Sequence, residues 1–168
     1  MPQKGFVELT QAIGRLVRFG STPPFHLVAF GSGDYRREYQ RDVERQGLTS
    51  YITFRDLVSD VAPVLQDLDF LVVPSLWEAS SLLSMEAMAA GVPVLGSDCI
   101  GLREVLRDTP SRMTRTGDEA DLCRGLRAAV LRPWTDQARA FAAEACDRFD
   151  NHPRAQELMD LYAALARR

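Results

Sequence analysis

Two glutamates eight positions apart, Glu78 and Glu86, frame the stretch of this sequence best suited to chemistry. Between them lie three small residues, Ala79, Ser80 and Ser81, followed by a helical run from Leu82 to Ala90 that stops at Gly91. A helix N-terminus presents unpaired N–H groups and roughly half a positive charge, which suits a phosphate. Small side chains at Ala79, Ser80 and Ser81 let an anionic group approach the backbone. A carboxylate accepts two hydroxyl hydrogen bonds well, so a diphosphate flanked by two such groups would carry a sugar or ribose at its ends. Each glutamate also has a plainer reading: Glu86 as a solvated helix residue, Glu78 as a charge drawn to the helix dipole.

These residues must be held by something, and the surrounding periodicity supplies it. Phe6, Leu9, Ile13, Leu16 and Val17 form one stripe of a helix from about Lys4 to Phe19. After Pro23-Pro24, the run Phe25 to Phe30 reads as a buried strand ending at Gly31-Ser32-Gly33. Tyr35, Tyr39 and Val43 mark a helix stopped at Gly47, and Tyr51 to Phe54 a short strand. A brief helix spans roughly Asp60 to Asp67, and Phe70 to Val73 is the clearest strand, stopped by Pro74. Beyond the glutamate loop come a strand at Val92–Leu95, a short helix at Leu102–Arg107 and a weak edge strand at Arg112–Thr114. Asp118 caps the next helix, and two more, about Thr135–Cys146 and Pro153–Ala166, close the chain.

Strands alternating with helices imply an α/β fold, a Rossmann-like three-layer αβα parallel sheet with the C-terminal helices packed on it. Residues 1–168 read as one domain. Ligands of such sheets bind beyond the strand C-termini, which singles out Gly31–Gly33, Phe54–Leu57, Pro74–Ser81 and Ser97–Gly101.

Composition narrows the functional classes. A net charge of −3 offers no electrostatic case for nucleic acid or anionic membrane. Cys99, Cys123 and Cys146 are scattered and odd in number, which argues against a disulfide scaffold and for a reducing, cytoplasmic setting. His26 and His152 lie far apart, and no His/Cys cluster has metal-ligand spacing. No apolar leader follows Met1, and no stretch is long and apolar enough to span a membrane.

The run from Glu78 to Val94 closely resembles the E-x7-E region of the group 1 retaining, nucleotide-sugar-dependent glycosyltransferases, which have the GT-B fold. Other blocks match in order: Lys4-Gly5, Val28 to Gly33, Ile52 to Phe54 through Val61, Gly96-Ser97-Asp98 with Gly101 and Glu104, Gly117-Asp118, and Arg148 through Tyr162. The resemblance implies the donor-binding domain of such an enzyme, with a nucleotide diphosphate sugar as substrate and no bound metal or other cofactor. It implies that Glu86 binds ribose hydroxyls and that Glu78 lies by the transferred sugar. Ala79, Ser80, Ser81 and Leu82 would offer amides to sugar and diphosphate, and Lys4 would neutralise the leaving diphosphate. Gly31, Phe54 and Leu57 would border the nucleotide.

The sequence departs from the family at several points. The usual Glu-Gly-Phe-Gly reads Glu78-Ala79-Ser80-Ser81, and Asp56 stands where a glycine is common. Trp77 at a strand end is expected to pack, with a place beside the donor as the second reading.

The family's first strand, with its diphosphate-binding arginine, and its acceptor-binding N-terminal domain have no counterpart in these residues. The expectation is a truncated domain, inactive alone, with the strand gap closed directly, by a second copy or by an upstream polypeptide. The missing half would supply any peripheral contact with the inner membrane. Two other readings stand beside it: a non-catalytic nucleotide-sugar-binding subunit of a split enzyme, and a sugar-nucleotide epimerase, for which His26 is badly placed.

Overall fold

The computed structural model describes residues 2–18 and 25–167. Phe19 and the Pro23-Pro24 pair lie outside the described residues.

A single 3-10 turn, Pro2–Lys4, precedes helix α1 (Phe6–Arg18), so Lys4 lies just ahead of the helix. Leu9, Ala12, Ile13 and Leu16 recur at helical spacing and are buried. They face helix α6 (Glu119–Leu131), whose Leu122, Leu126 and Ala129 complete that contact. Burying one such leucine stabilises by ~1.5–3 kcal/mol, so this helix pair anchors its side of the sheet. The α6 N-terminus is closed by its own sequence: the Asp118 carboxylate accepts the Asp121 N–H at 2.8 Å.

Strands β1 (Leu27–Phe30) and β2 (Ile52–Arg55) pair in parallel, Leu27 opposite Ile52 and Phe30 opposite Arg55. Helix α2 (Arg36–Arg45) joins them. Strands β3 (Leu71–Val73), β4 (Val94–Ser97) and β5 (Arg112–Thr114) form a second parallel set in that order. Their connections are α4 (Leu82–Ala89) and α5 (Leu102–Leu106), and α3 (Ala62–Gln66) leads from β2 to β3. The β4 strand starts two residues later than the apolar run at Val92 suggests, because Val92 and Pro93 are spent leaving the Gly91 turn.

Side chains alternate across a strand, and here the alternation divides the core. Leu95 joins Leu9, Ile13 and Leu126 on one face of the sheet. Val94 joins Leu65, Met88 and Leu102 on the other. Helices therefore cover both faces, the three-layer arrangement expected. Helix α7 (Thr135–Phe149) packs along α4, with Ala138 and Ala145 buried. Helix α8 (His152–Leu165) ends the fold with its residues exposed.

The alternation of elements suggests one sheet, but the strands fall into two groups. Among the described residues no strand lies between β1 and β3, and the two do not pair. Direct closure of the gap, one of the three expected outcomes, is thus not what the fold does.

Candidate functional site

Within each group the strands run parallel, and Lys4 reaches the carboxyl ends of both, meeting Glu78 beyond β3 and bordering the Gly31 turn beyond β1. At the end of β3 the backbone turns at Pro74, and Ser75 goes almost fully inside, 1% exposed. Its hydroxyl donates to Glu78 Oε1 at 2.7 Å. Ser97, the last residue of β4, donates its own hydroxyl to the Ser75 carbonyl. The serine that ends β4 therefore holds the serine just beyond β3, which in turn holds Glu78.

Glu78 is only 8% exposed, and a buried carboxylate must be paired. The partner is Lys4, whose ammonium donates to the same Oε1 at 2.7 Å across 74 residues of sequence. No described residue bonds Oε2. Two backbone contacts hold Lys4 there. The Leu76 N–H donates to the Gln3 carbonyl at 2.8 Å, and Gly5, at φ 66°, lies so close that a Cβ would fall 1.9 Å from the Pro74 carbonyl oxygen. Gly101 makes a similar approach at φ 81°: a Cβ there would fall 2.1 Å from the Glu78 carbonyl oxygen.

The N-terminus of α4 follows at once and is left open. Its N-cap, Ser81, makes no side-chain bond to a backbone amide; its hydroxyl pairs with that of Ser84 at 2.8 Å instead. No acidic residue occupies the first turn. The Leu82 and Leu83 amides and the positive end of the helix are thus unopposed, with exposed Ala79 and Ser80 before them. Glu86, also exposed, lies four residues beyond Leu82 and so on the same stripe of the helix.

Lys4 also borders a second space. A cleft of about 180 Å³ beside the Gly31 turn is lined by Lys4, Gly31, Phe54, Tyr35, Arg36 and Tyr39, with Phe6 at its base. The Phe6 ring stands 4.7 Å from that of Tyr39 and 5.4 Å from that of Phe54. Arg36 donates to the Gly31 carbonyl at 3.3 Å and pairs with Asp56, so the departure from glycine at position 56 serves to orient a cation. Burial, then the charge of Glu38, holds the Tyr39 phenol above its ordinary value. Its hydroxyl is buried and has no hydrogen-bond partner among the described residues.

Lys4 and Glu78 therefore meet, Gly31 and Phe54 share a cleft with Lys4, and Ala79 to Leu82 form the open helix start. Leu57 does not join them: it is 69% exposed and lies outside that cleft. Trp77, expected to pack, is 52% exposed instead. Ser75, Ser97, Tyr35 and Arg36 escaped sequence reasoning. Ser75 and Ser97 sit in loops already marked as strand ends, and a serine directly after an apolar strand was the available signal. Arg36 carried none. Among the described residues no group of three or more His, Cys, Asp or Glu side chains could hold a metal ion. All three cysteines are free, and no described helix is long and apolar enough to cross a membrane.

The profile of the family described as "Glycosyl transferases group 1" matches residues 1–143. The chain belongs to this family. It is 33% identical to the phosphatidyl-myo-inositol mannosyltransferase of Mycobacterium leprae, over 98% of this chain and 44% of that protein. It is 28% identical to the putative glycosyltransferase EpsD of Bacillus subtilis (strain 168), over 84% of this chain and 38% of that one. Among solved structures it resembles Anabaena Alr3699/HepE in complex with UDP-glucose, with a TM-score of 0.84 and 21% identity over 98% of this chain and 46% of that one. The sucrose-phosphate synthase of Thermosynechococcus elongatus is similar at a TM-score of 0.83 and 24% identity, over 98% of this chain and 43% of that one. The chain spans about two fifths of the length of these curated relatives. As a group 1 glycosyltransferase domain with the GT-B fold, it corresponds to one half of the two-domain architecture.

Proposed function

We propose that this chain is the donor-binding domain of a retaining glycosyltransferase that moves a sugar from a nucleotide diphosphate onto an acceptor. The observation that carries the reading is Lys4 Nζ at 2.7 Å from Glu78 Oε1, beside a helix N-terminus left uncapped. A buried carboxylate, a half-exposed ammonium and unopposed amides at one sheet edge suit a ligand with hydroxyls at one end and phosphate in the middle.

In this reading the diphosphate rests against the amides of Ser81 and Leu82, with Ala79 and Ser80 beside the sugar. Lys4 neutralises the charge that grows on phosphate as the bond to the anomeric carbon breaks. Donors already in place need not reorganise at that moment, which is how they lower a barrier. The acceptor oxygen bonds to the anomeric carbon, and its proton leaves with the diphosphate. Glu78 faces the sugar, Glu86 takes the ribose hydroxyls, and Gly31 and Phe54 border the nucleoside. Positive charge comes from Lys4 and amides, with no metal ion assigned. Retention is supported by the E-x7-E resemblance, and a cytoplasmic setting by the three free thiols.

Calorimetric titration with UDP, GDP and ADP sugars tests the reading. One of them is expected to bind, and Glu86→Gln and Lys4→Met are each expected to weaken it about tenfold or more, the scale of one hydrogen bond to a charged group. Failure of all three sugars to bind would remove the donor-site reading; binding unchanged in Glu86→Gln would remove that residue's role. Sugar transfer by the chain alone is expected to be far below an ordinary turnover of ~10 per second.

A further inference from the structure

Two donors meet on one oxygen of Glu78. The Lys4 ammonium and the Ser75 hydroxyl both donate to Oε1, each at 2.7 Å, while no described residue bonds Oε2. The donors differ in their freedom to move. Lys4 is half-exposed and stands between Glu78 and the cleft at the Gly31 turn. Ser75 is almost fully inside, and its neighbours hold it there. Its carbonyl accepts the Ser97 hydroxyl, and the Leu76 N–H that follows it donates to the Gln3 carbonyl at 2.8 Å. The Pro74 carbonyl before it lies against Gly5. Beyond Glu78, Gly101 lies just as close to the Glu78 and Ala79 carbonyls. The backbone is thus pinned on both sides of the carboxylate, which leaves the side chain as the part able to swing.

One ammonium cannot serve two anions equally. Under the donor reading, on which this inference rests, a diphosphate competes with Glu78 for Lys4 and carries more negative charge than a carboxylate. As Lys4 turns toward phosphate, Glu78 keeps its buried place and loses its ion partner. Removing one member of a buried pair leaves a charge that is costly to keep inside unless hydrogen bonds remain. Among the described residues the remaining side-chain donor is Ser75.

We propose that Ser75 is a positioning residue of the donor site: as a diphosphate takes Lys4, the Ser75 hydroxyl keeps Oε1 and so holds Oε2 toward the hydroxyls of the sugar. The share of binding that comes from the sugar then depends on Ser75. The share that comes from nucleoside and diphosphate does not, because a side chain this deeply buried offers a ligand no surface. A serine that only shaped the turn would act differently. That turn leads directly into the α4 amides, so losing its shape would weaken both shares together.

Calorimetric titrations with UDP-glucose, GDP-mannose and ADP-glucose, each beside its own nucleoside diphosphate, separate these outcomes. The best-bound pair is then titrated into Ser75→Cys and Ser75→Ala. Cysteine keeps the packing and supplies only a weak donor, so it isolates the hydrogen bond from the volume. Both variants are expected to weaken nucleotide-sugar binding about tenfold, the scale of one hydrogen bond to a charged group, and to leave the diphosphate within about twofold. Equal losses for nucleotide sugar and diphosphate overturn the proposal by making Ser75 a residue of the turn alone. Unchanged nucleotide-sugar binding in both variants overturns it as well. If the unsubstituted chain binds none of these ligands, the donor reading itself falls and takes this inference with it, an outcome visible before any substitution is made.

Discussion

Strands β4 and β1 are similar in sequence character and opposite in environment. Val94 to Ser97 is buried at every position, whereas Leu27 to Ala29 is half-buried and Phe30 is 41% exposed. Both strands are short, and both follow apolar runs. The difference lies in their neighbours: β4 has β3 and β5 on its two edges and helices on both faces, while among the described residues β1 pairs with β2 on one edge only. Burial of a strand is thus a property of the strands beside it as much as of its own side chains. The same contrast appears in two helix starts. Asp118 closes α6 with its own carboxylate, whereas α4, facing the carboxyl edge, keeps its amides open.

The largest test of this contrast compares glycines. Gly101→Ala would drive a methyl against the Glu78 carbonyl, and the φ of 81° strains it further, so a loss of about 3 kcal/mol or more is expected. Gly33→Ala, at φ 128° with nothing within 4 Å, is expected to cost about 1 kcal/mol, the strain alone. Urea unfolding of the two variants measures the gap between them; equal losses would mean that the closed half is no tighter than the open one.

Next come the strands themselves. Leu95→Ala removes a side chain 1% exposed and is expected to cost ~3 kcal/mol, against ~1 kcal/mol for Val28→Ala beside the gap between β1 and β3. Comparable values would show that β1 is as well packed as β4. Smaller again is the cap: Asp118→Ala is expected to lose ~1 kcal/mol of stability by the same unfolding measurement.

The smallest effect is one of pH. The Thr116 N–H and hydroxyl hold the Asp98 carboxylate below its ordinary 3.8, by 2.9 and 2.8 Å bonds that tie the ends of β4 and β5 together. A lowered folded-state value means the stabilisation is present above the ordinary value and lost as pH falls through the folded one. The stability difference between the protein and Asp98→Asn is therefore expected to be constant near pH 6 and to shrink as the pH drops below about 4. Asp121, lowered chiefly by the Arg115 N–H, titrates in the same direction and remains in both proteins. A difference that stays flat across this range would remove the Thr116 bonds from the account of this edge.

Much of this was legible in residue order. Arg112–Thr114, read as a weak edge strand, does form one, and Asp118 caps the helix its position suggests. The stretch from Glu78 to Leu82 does lie at the carboxyl edge, because a strand followed by small residues and a helical run leaves few alternatives. Less legible were the contacts between distant segments. Trp77 and Leu57 read as packing and site residues but stand in solvent, since exposure depends on what crosses above them. Ser97 supports Ser75 from 22 residues away, a relation no local pattern announces.

The amino-acid order alone determined the alternation of elements, their caps and the character of the Glu78–Glu86 loop, because each depends on interactions spanning a few residues. Tertiary structure decided that Lys4 meets Glu78, that Arg36 turns over the Gly31 loop, and that β1 and β3 stand apart around a cavity. Those depend on which distant backbones become neighbours, and short-range periodicity carries no information about that.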